Sequence, residues 1–497
     1  MSALRGSVAW NLGAQAWSAL LQLALVPFYL RVLGIEAYGL LAFYLGLQAL
    51  SVVLDLGLST TVNRELARGG GGNGDAARAR DLVRTLEAWY WTLGLLLGLA
   101  VTAAAPWLAA RWIQAGNLPP ALVERALRLM GALFALQWPA SLYQGGLLGL
   151  QRHARLNALR VTGATVTAAG AVAVLTWVSA TIVALLAWQI LAGALLITAY
   201  ALGLWRALPR GDGRARVRAR LGRELLPFSA GMTGILLTGA ALSNLDKVVL
   251  SRLLPLDRFG YYALAAMVGN GLYVVINPTF NALFPRLSAL CARGEADALR
   301  RDYHAGAQIM ALLTVPLAAT LCSFAFDAVR VWTRSAETAR QAAPLVELLV
   351  AGTALNGLLH VPFALQLAHG WTSLSLRVNL GLTALMVPAL LLATPRYGAR
   401  GAAGVWLALN VAFLLLHVPL THRRLLPGAS RDWLLRDLAP VAGASVLVVG
   451  LARRLPIAAE GGPWAAAALA AVFVCALGAA ALAAPLSRGW IRGLLAR

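Results

Sequence analysis

Long apolar runs recur from one end of this 497-residue chain to the other, and they decide what it can fold into. They cover roughly residues 8–30, 37–60, 88–110, 129–150, 161–177, 182–205, 226–250, 259–284, 305–328, 344–366, 378–394, 401–420, 438–452 and 463–484. Most are long enough for a helix to cross the ~30 Å of bilayer hydrocarbon. Inside that layer no water is available to the backbone, so each run must satisfy its own N–H and C=O groups as a helix. The chain therefore reads as an all-α polytopic membrane protein of about 14 transmembrane helices. Its charged content, 12%, is half the roughly 25% of a soluble chain. The first run is too long for a cleaved leader and reads as a helix that stays.

Two stretches echo each other across half the chain. Arg31, Leu33, Glu36, Tyr38, Gly39 and Ala42 match Arg252, Leu254, Asp257, Phe259, Gly260 and Ala263. Leu159-Arg160-Val161 recurs as Leu376-Arg377-Val378, and Ala135-Leu136-Gln137 as Ala354-Leu355-Asn356. The layout is two pseudo-symmetric six-helix lobes. Residues 1–206 form the first, 207–224 a basic cytoplasmic linker, 225–424 the second lobe, and 425–497 an appendage of two more helices. An even number of spans per lobe makes the repeats parallel, related by an axis along the membrane normal.

The net charge of +22 suggests nucleic acid, but its distribution suggests topology. With both termini in the cytoplasm, the inner connections hold the larger share of Lys and Arg, as the positive-inside rule requires. The densest run, Arg214, Arg216, Arg218, Arg220 and Arg223, lies in the inner linker and suits anionic lipid headgroups. Cys291, Cys322 and Cys475 have neither metal nor disulfide spacing. No cofactor motif stands out. The Gly69–Gly72 run follows no strand and lacks a Lys-Ser/Thr pair, so it reads as a flexible connector. Trp89, Trp91 and Trp107 bracket the third span as an aromatic belt.

Polar residues inside the spans carry the functional signal, because a polar group facing hydrocarbon is costly. Asn11, Gln15, Ser18, Gln22 and Tyr29 share one helical face of the first span. Tyr44, Gln48, Ser51, Asp55 and Ser59 share one face of the second. Ser229, Thr233, Ser243 and Lys247 do so on the seventh, and Asn270, Tyr273, Asn277 and Asn281 on the eighth. Weaker stripes mark the fourth (Gln137, Ser141, Gln144) and tenth (Asn356, His360). Any one stripe reads equally well as hydrogen-bonded glue between helices. Four long stripes on symmetry-related helices suggest a hydrated cavity between the lobes.

The charges leave choices open. Asp55 is either a proton or cation site or an interfacial carboxylate near an Arg such as Arg64. Lys247 either meets an anionic head group or snorkels to the outer interface. Arg31 and Arg252, at outer helix ends, either cap carbonyls or contact phosphate, and Arg64 stands at the inner mouth. His360 reads as a hydrogen-bonded core histidine. The longer outer loops, about 111–128 and 329–343, hold Glu124, Glu337 and several arginines but no catalytic constellation, so an enzyme is not expected.

Several runs also resemble a known family. They are Trp10-Asn11, Pro27 to Gly34, Tyr38-Gly39, Asp55-Leu56-Gly57-Leu58, Arg64 to Ala67, Asn244-Leu245-Asp246-Lys247, Gly260 to Ala263, and Tyr397 to Gly404. Together they resemble the bacterial polysaccharide (O-antigen type) flippases. These belong to the multidrug/oligosaccharidyl-lipid/polysaccharide exporter superfamily, with multidrug extruders and lipid II flippases. The resemblance implies a V-shaped pair of lobes in the bacterial inner membrane. It implies alternating access for an undecaprenyl-diphosphate-linked oligosaccharide, and contact with polysaccharide polymerase machinery. Multidrug extruders of this superfamily typically carry an acid in the first span, and here that span has Asn11, Gln15, Ser18 and Gln22 instead. On this reading Asn11, Gln15, Ser18, Gln22, Tyr44, Gln48, Lys247, Asn270, Asn277 and Asn281 line the cavity. Arg31, Arg64, Lys247 and Arg252 are diphosphate candidates, and Asp55 is the ion-coupling candidate.

Overall fold

The computed structural model describes residues 2–55, 57–68, 73–209, 214–218, 220–221, 244–455 and 463–485. Among them every regular element is helical. In chain order they are α1 (Ser2–Leu54), α2 (Leu58–Arg68), α3 (Asn73–Trp107), α4 (Pro120–Gln137), α5 (Ala140–Gly149), α6 (His153–Ala173) and α7 (Ile182–Ala207). Then follow α8 (Leu256–Asn270), α9 (Tyr273–Arg293), α10 (Ala296–Ser323), α11 (Ala325–Thr333), α12 (Ala336–Ala368) and α13 (Thr372–Leu425). The chain ends with α14 (Ala429–Asp432), a π-helical turn over Trp433–Leu438, α15 (Ala439–Ala452) and α16 (Pro463–Ala483).

Ten described stretches are long and apolar enough to cross a membrane. Two of them hold a pair of spans each. The 53 residues of α1 would extend about 80 Å if straight, far beyond the hydrocarbon layer. The reversal falls at Gly34, whose φ of 82° and ψ of 170° only glycine adopts without strain. Gly398 (φ 60°, ψ −145°) interrupts the 54-residue α13 in the same way. The fourth expected span is present but broken at Trp138-Pro139, between α4 and α5. The seventh, 226–250, lies mostly outside the described residues, as do Ser229, Thr233, Ser243, Arg223 and the Gly69–Gly72 run. The expected all-α, many-span architecture holds.

Residues Met1–Gly260 and Tyr261–Arg497 form two compact units. In the first, α3 packs on α4, α2 on α5, α1 on α6 and α4 on α7. The helical segment from residue 244 and the start of α8 belong here too. A Cβ on Gly39 would run into the Leu256 carbonyl, and a Cβ on Gly260 would stand 2.6 Å from the Ile35 carbonyl. These are the positions whose sequences echo each other, and the two helix starts cross with each glycine under the other's backbone. Leu256 N donates to Gln114 O at 2.8 Å, Gln114 Nε2 to Arg252 O at 2.8 Å, and Trp112 Nε1 to Ser251 Oγ at 3.0 Å. In the second unit, α12 packs against α9, α10, α11 and α13, and α15 and α16 pack on α10. A small core of Phe324, Val449, Ala452, Val472 and Ala476 fixes the last two spans.

Candidate functional site

The breaks in the helices place the polar groups. Helix α1 ends at Leu54 and α2 begins at Leu58, with Gly57 at φ 70°. Asp55 therefore sits at an interruption of the second span, buried at 9% exposure. The α4–α5 break brings Ser141 to the same place. Asp55 Oδ1 accepts from the Tyr90 hydroxyl and from Ser141 Oγ at 3.0 Å. Its Oδ2 accepts from Ser59 Oγ at 2.7 Å and Ser59 N at 3.3 Å. An ionised carboxylate only accepts, and these donors occupy both of its oxygens. Interrupted membrane helices with unwound backbone are where transporters hold coupling ions. Tyr90 escaped the sequence reading, since it stood between two tryptophans taken as a belt. One of these, Trp91, donates Nε1 to Tyr143 Oη at 3.2 Å.

The other stripes divide. Tyr44, Gln48 and Gln137 bond to one another: Tyr44 Oη donates to Gln137 Oε1 at 3.1 Å, Gln48 Nε2 reaches Tyr44 Oη at 3.0 Å, and Gln48 also reaches Gln137. The second unit holds a similar clip on α9, α12 and α13. Tyr273 Oη donates to Asn356 Oδ1 at 2.9 Å, and Asn356 Nδ2 to Asn410 Oδ1 at 2.9 Å. His360 Nδ1 lies 2.9 Å from Asn356 O, as a hydrogen-bonded core histidine should. Gln144 accepts from Arg160 at 2.8 Å. By contrast Gln15, Gln22, Asn270, Asn277 and Asn281 are exposed. Ser18 is half-buried and bonds back to Ala14 O at 3.0 Å. The Asn11 and Ser51 side chains lie outside the described residues.

Among the charges, Arg31 and Arg252 are exposed and Arg64 lies 3.9 Å from Glu65. Lys247 donates to Asn244 Oδ1 at 3.1 Å, with Asp246 3.9 Å away. It also borders an apolar cavity of about 370 Å³ lined by Phe43, Leu97, Val101, Trp107 and Trp112. Glu36 is bound by a loop rather than facing water: it accepts from Asn117 N, Asn117 Nδ2 and Leu118 N at 2.9–3.0 Å. Glu124 and Glu337, from the longer loops, form helix-local pairs with Arg128 and Arg340.

The basic linker is docked. Arg216 N donates to Asp81 Oδ1 at 2.7 Å, Arg218 N to Thr85 Oγ1 at 2.9 Å, and Arg218 Nε lies 2.6 Å from Asp81 Oδ2. Asp81 and Thr85, one turn apart on α3, thus hold the strap by its backbone, while Arg214, Arg216, Arg218 and Arg220 stay exposed. No group of three or more His, Cys, Asp or Glu that could hold a metal occurs among the described residues.

Comparison with known proteins supplies the class. The fold is shared with solved membrane proteins. It superimposes on the lipid II flippase MurJ in an inward closed conformation with a TM-score of 0.74, covering 97% of this chain and 100% of that one at 10% identity. An inward-facing multidrug resistance MATE family transporter matches with a TM-score of 0.66 and 15% identity, over 84% of this chain and 94% of that one. A putative O-antigen transporter of Shigella flexneri is 21% identical over 82% of this chain and 94% of its own length. Residues 4–291 match the family described as polysaccharide biosynthesis protein, and the chain belongs to that family.

Proposed function

We propose that the chain is a flippase that moves an undecaprenyl-diphosphate-linked oligosaccharide from the inner to the outer leaflet of the bacterial cytoplasmic membrane by alternating access, with both termini cytoplasmic. The observation that carries this reading is the family match together with uncommitted amides on membrane helices. Gln15, Gln22, Asn270, Asn277 and Asn281 remain exposed while neighbouring polar side chains are absorbed into clips. A sugar head bears many hydroxyls and cannot cross hydrocarbon unaided. Amides exchange hydrogen bonds with such a head without demanding one stereochemistry. Arg31, Arg64, Lys247 and Arg252 would offset the diphosphate charge. Asp55, at its interrupted helix, is the residue we assign to ion coupling. The polyprenyl tail stays in lipid, and no covalent bond changes.

The test is complementation of a strain lacking its own flippase, read by surface glycan. Gln22→Leu and Asn277→Leu should each cut export several-fold at unchanged protein level. Wild-type export from both would remove the polar faces from the mechanism. Drug resistance conferred by a chain that exports no glycan would move the protein to the extruder branch.

A further inference from the structure

The second unit buries titratable side chains that the flippase reading leaves unused. His304 Nδ1 lies 2.5 Å from Asp437 Oδ2, and Gln308 Nε2 donates to Asp437 Oδ1 at 2.8 Å. Asp437 is 1% exposed and sits in the π-helical turn that opens the thirteenth span. One residue before His304, Tyr303 Oη meets His422 Nε2 at 2.6 Å, and His422 Nδ1 meets Ser430 Oγ at 3.0 Å. Tyr303 is wholly buried, with its ring edge-on to both His304 and His422. This network joins α10 to the joint where the end of α13 gives way to the two C-terminal spans.

The bonds distribute the protons unevenly. If Tyr303 donates to His422 Nε2, the His422 proton resides on Nδ1 and goes to Ser430, so that ring is satisfied while neutral. Asp437 is different, because a buried carboxylate needs a positive partner. Several other charges of this unit are engaged. On the α14 side Arg436 pairs with Asp432 at 3.3 Å. Arg300 of α10 donates to Pro427 O at 2.9 Å, and Arg286 of α9 holds Asp302 at 2.5 Å. On α13, His417 bonds Gln366 at 2.9 Å. On α12, Glu347 lies beside Cys322 and His360 bonds Asn356. Helix α15 carries no titratable side chain, and described α16 carries only Cys475. His304, with 19% of its side chain exposed, is the member of the pair that opens to the surface. Arg300, Arg301, Arg423, Arg424 and Arg431 flank this end, the pattern of an inner face.

We propose that His304 and Asp437 form a proton-binding site through which inner-side pH sets how firmly the C-terminal spans are clamped to α10, and with it the rate of transport. The His304 imidazole takes one proton from inner-side water and returns it there, and only an N–H bond forms and breaks. Loaded, the imidazolium and carboxylate clamp the π-helical turn to α10. Unloaded, Asp437 is a buried anion held by Gln308 and a neutral ring, and the joint loosens. π-Helical turns inside α-helices recur at functional sites. Coupling to transport rests on the flippase reading above, whereas proton binding does not.

Hydrogen exchange on the purified full chain in lipid nanodiscs separates the two claims. The peptide covering residues 429–438 is followed at about pH 5 and about pH 8, the span over which imidazole changes charge, after correction for intrinsic exchange. Wild type should exchange about tenfold more slowly at the acid end, because the Nδ1–H···Oδ2 bond present in both states becomes an ion pair once the ring is charged. Asp437→Asn and His304→Gln should exchange equally at both. Tyr303→Phe, which breaks the neighbouring bond without removing the pair, should keep the difference. A flat wild-type profile, or a difference that survives Asp437→Asn, overturns the proton site whatever the protein carries. In cells, Asp437→Asn should abolish the pH dependence of glycan export, and unaltered dependence would overturn the coupling. Absence of export by wild type would instead sink the flippase reading and leave the exchange result standing.

Discussion

At the scale of single residues, Glu36 and Asp55, two of the buried carboxylates of the first unit, illustrate what a sequence conceals. Glu36 was visible only as one letter of a repeat. Its role comes from the backbone N–H groups of Asn117 and Leu118, eighty residues on, which it accepts. Glu36→Ala leaves those donors orphaned and should lower stability by about 1–3 kcal/mol, measured by thermal unfolding in detergent. Glu36→Gln keeps one acceptor and should lose less. Asp55 was legible as an acid inside an apolar run, and so was its companion Ser59 one turn away. Tyr90 was not, because nothing in a sequence says which of several aromatic residues turns inward. Asp55→Asn should leave protein level near wild type while glycan export falls at least several-fold. Export at wild-type level would return Asp55 to a structural role.

Elements were legible in number and unreadable in shape. Hydropathy reports how apolar a run is, not whether its backbone is continuous. The second, fourth and eighth spans therefore looked like single rods, yet they are interrupted at Asp55–Gly57, Trp138–Pro139 and Gly271–Leu272. Proline removes a helix bond, yet of the prolines in these spans only Pro139 falls at a break, whereas Pro278 lies within α9. The near-seamless joins at Gly34 and Gly398 were hidden for the opposite reason: one glycine does the work of a loop. The Gly39–Gly260 crossing belongs to this scale as well. Gly39→Ala sets a methyl group against a carbonyl that cannot rotate aside, and should cost about 1–3 kcal/mol in the same unfolding assay. Alanine at Gly13, where nothing lies within 4 Å, should be neutral or slightly stabilising.

For the whole molecule, composition and the recurring apolar runs were sufficient to read a many-span membrane protein. Stripes of polar residues were read as one class, yet the structure sorts them into two. Tyr44, Gln48 and Gln137 close on themselves, whereas Gln15, Gln22 and Asn277 do not. That sorting depends on which helices pack together, which periodicity alone does not encode. The arginine linker was read as a lipid-facing run, and its tie to Asp81 was invisible because the partner lies on α3. Asp81→Asn weakens the tie, so limited trypsin should cut after Arg214, Arg216 or Arg218 several-fold faster than in wild type. An unchanged cleavage rate would show that the strap is held by other contacts.

The glycine crossing has a consequence for how such a chain can drift. Each glycine faces a peptide oxygen rather than a side chain, so no trimming of the opposite helix can make room for a larger residue. Ordinary core positions exchange bulk with their neighbours over generations. These two cannot, and any lineage that keeps the crossing must hold both in place together.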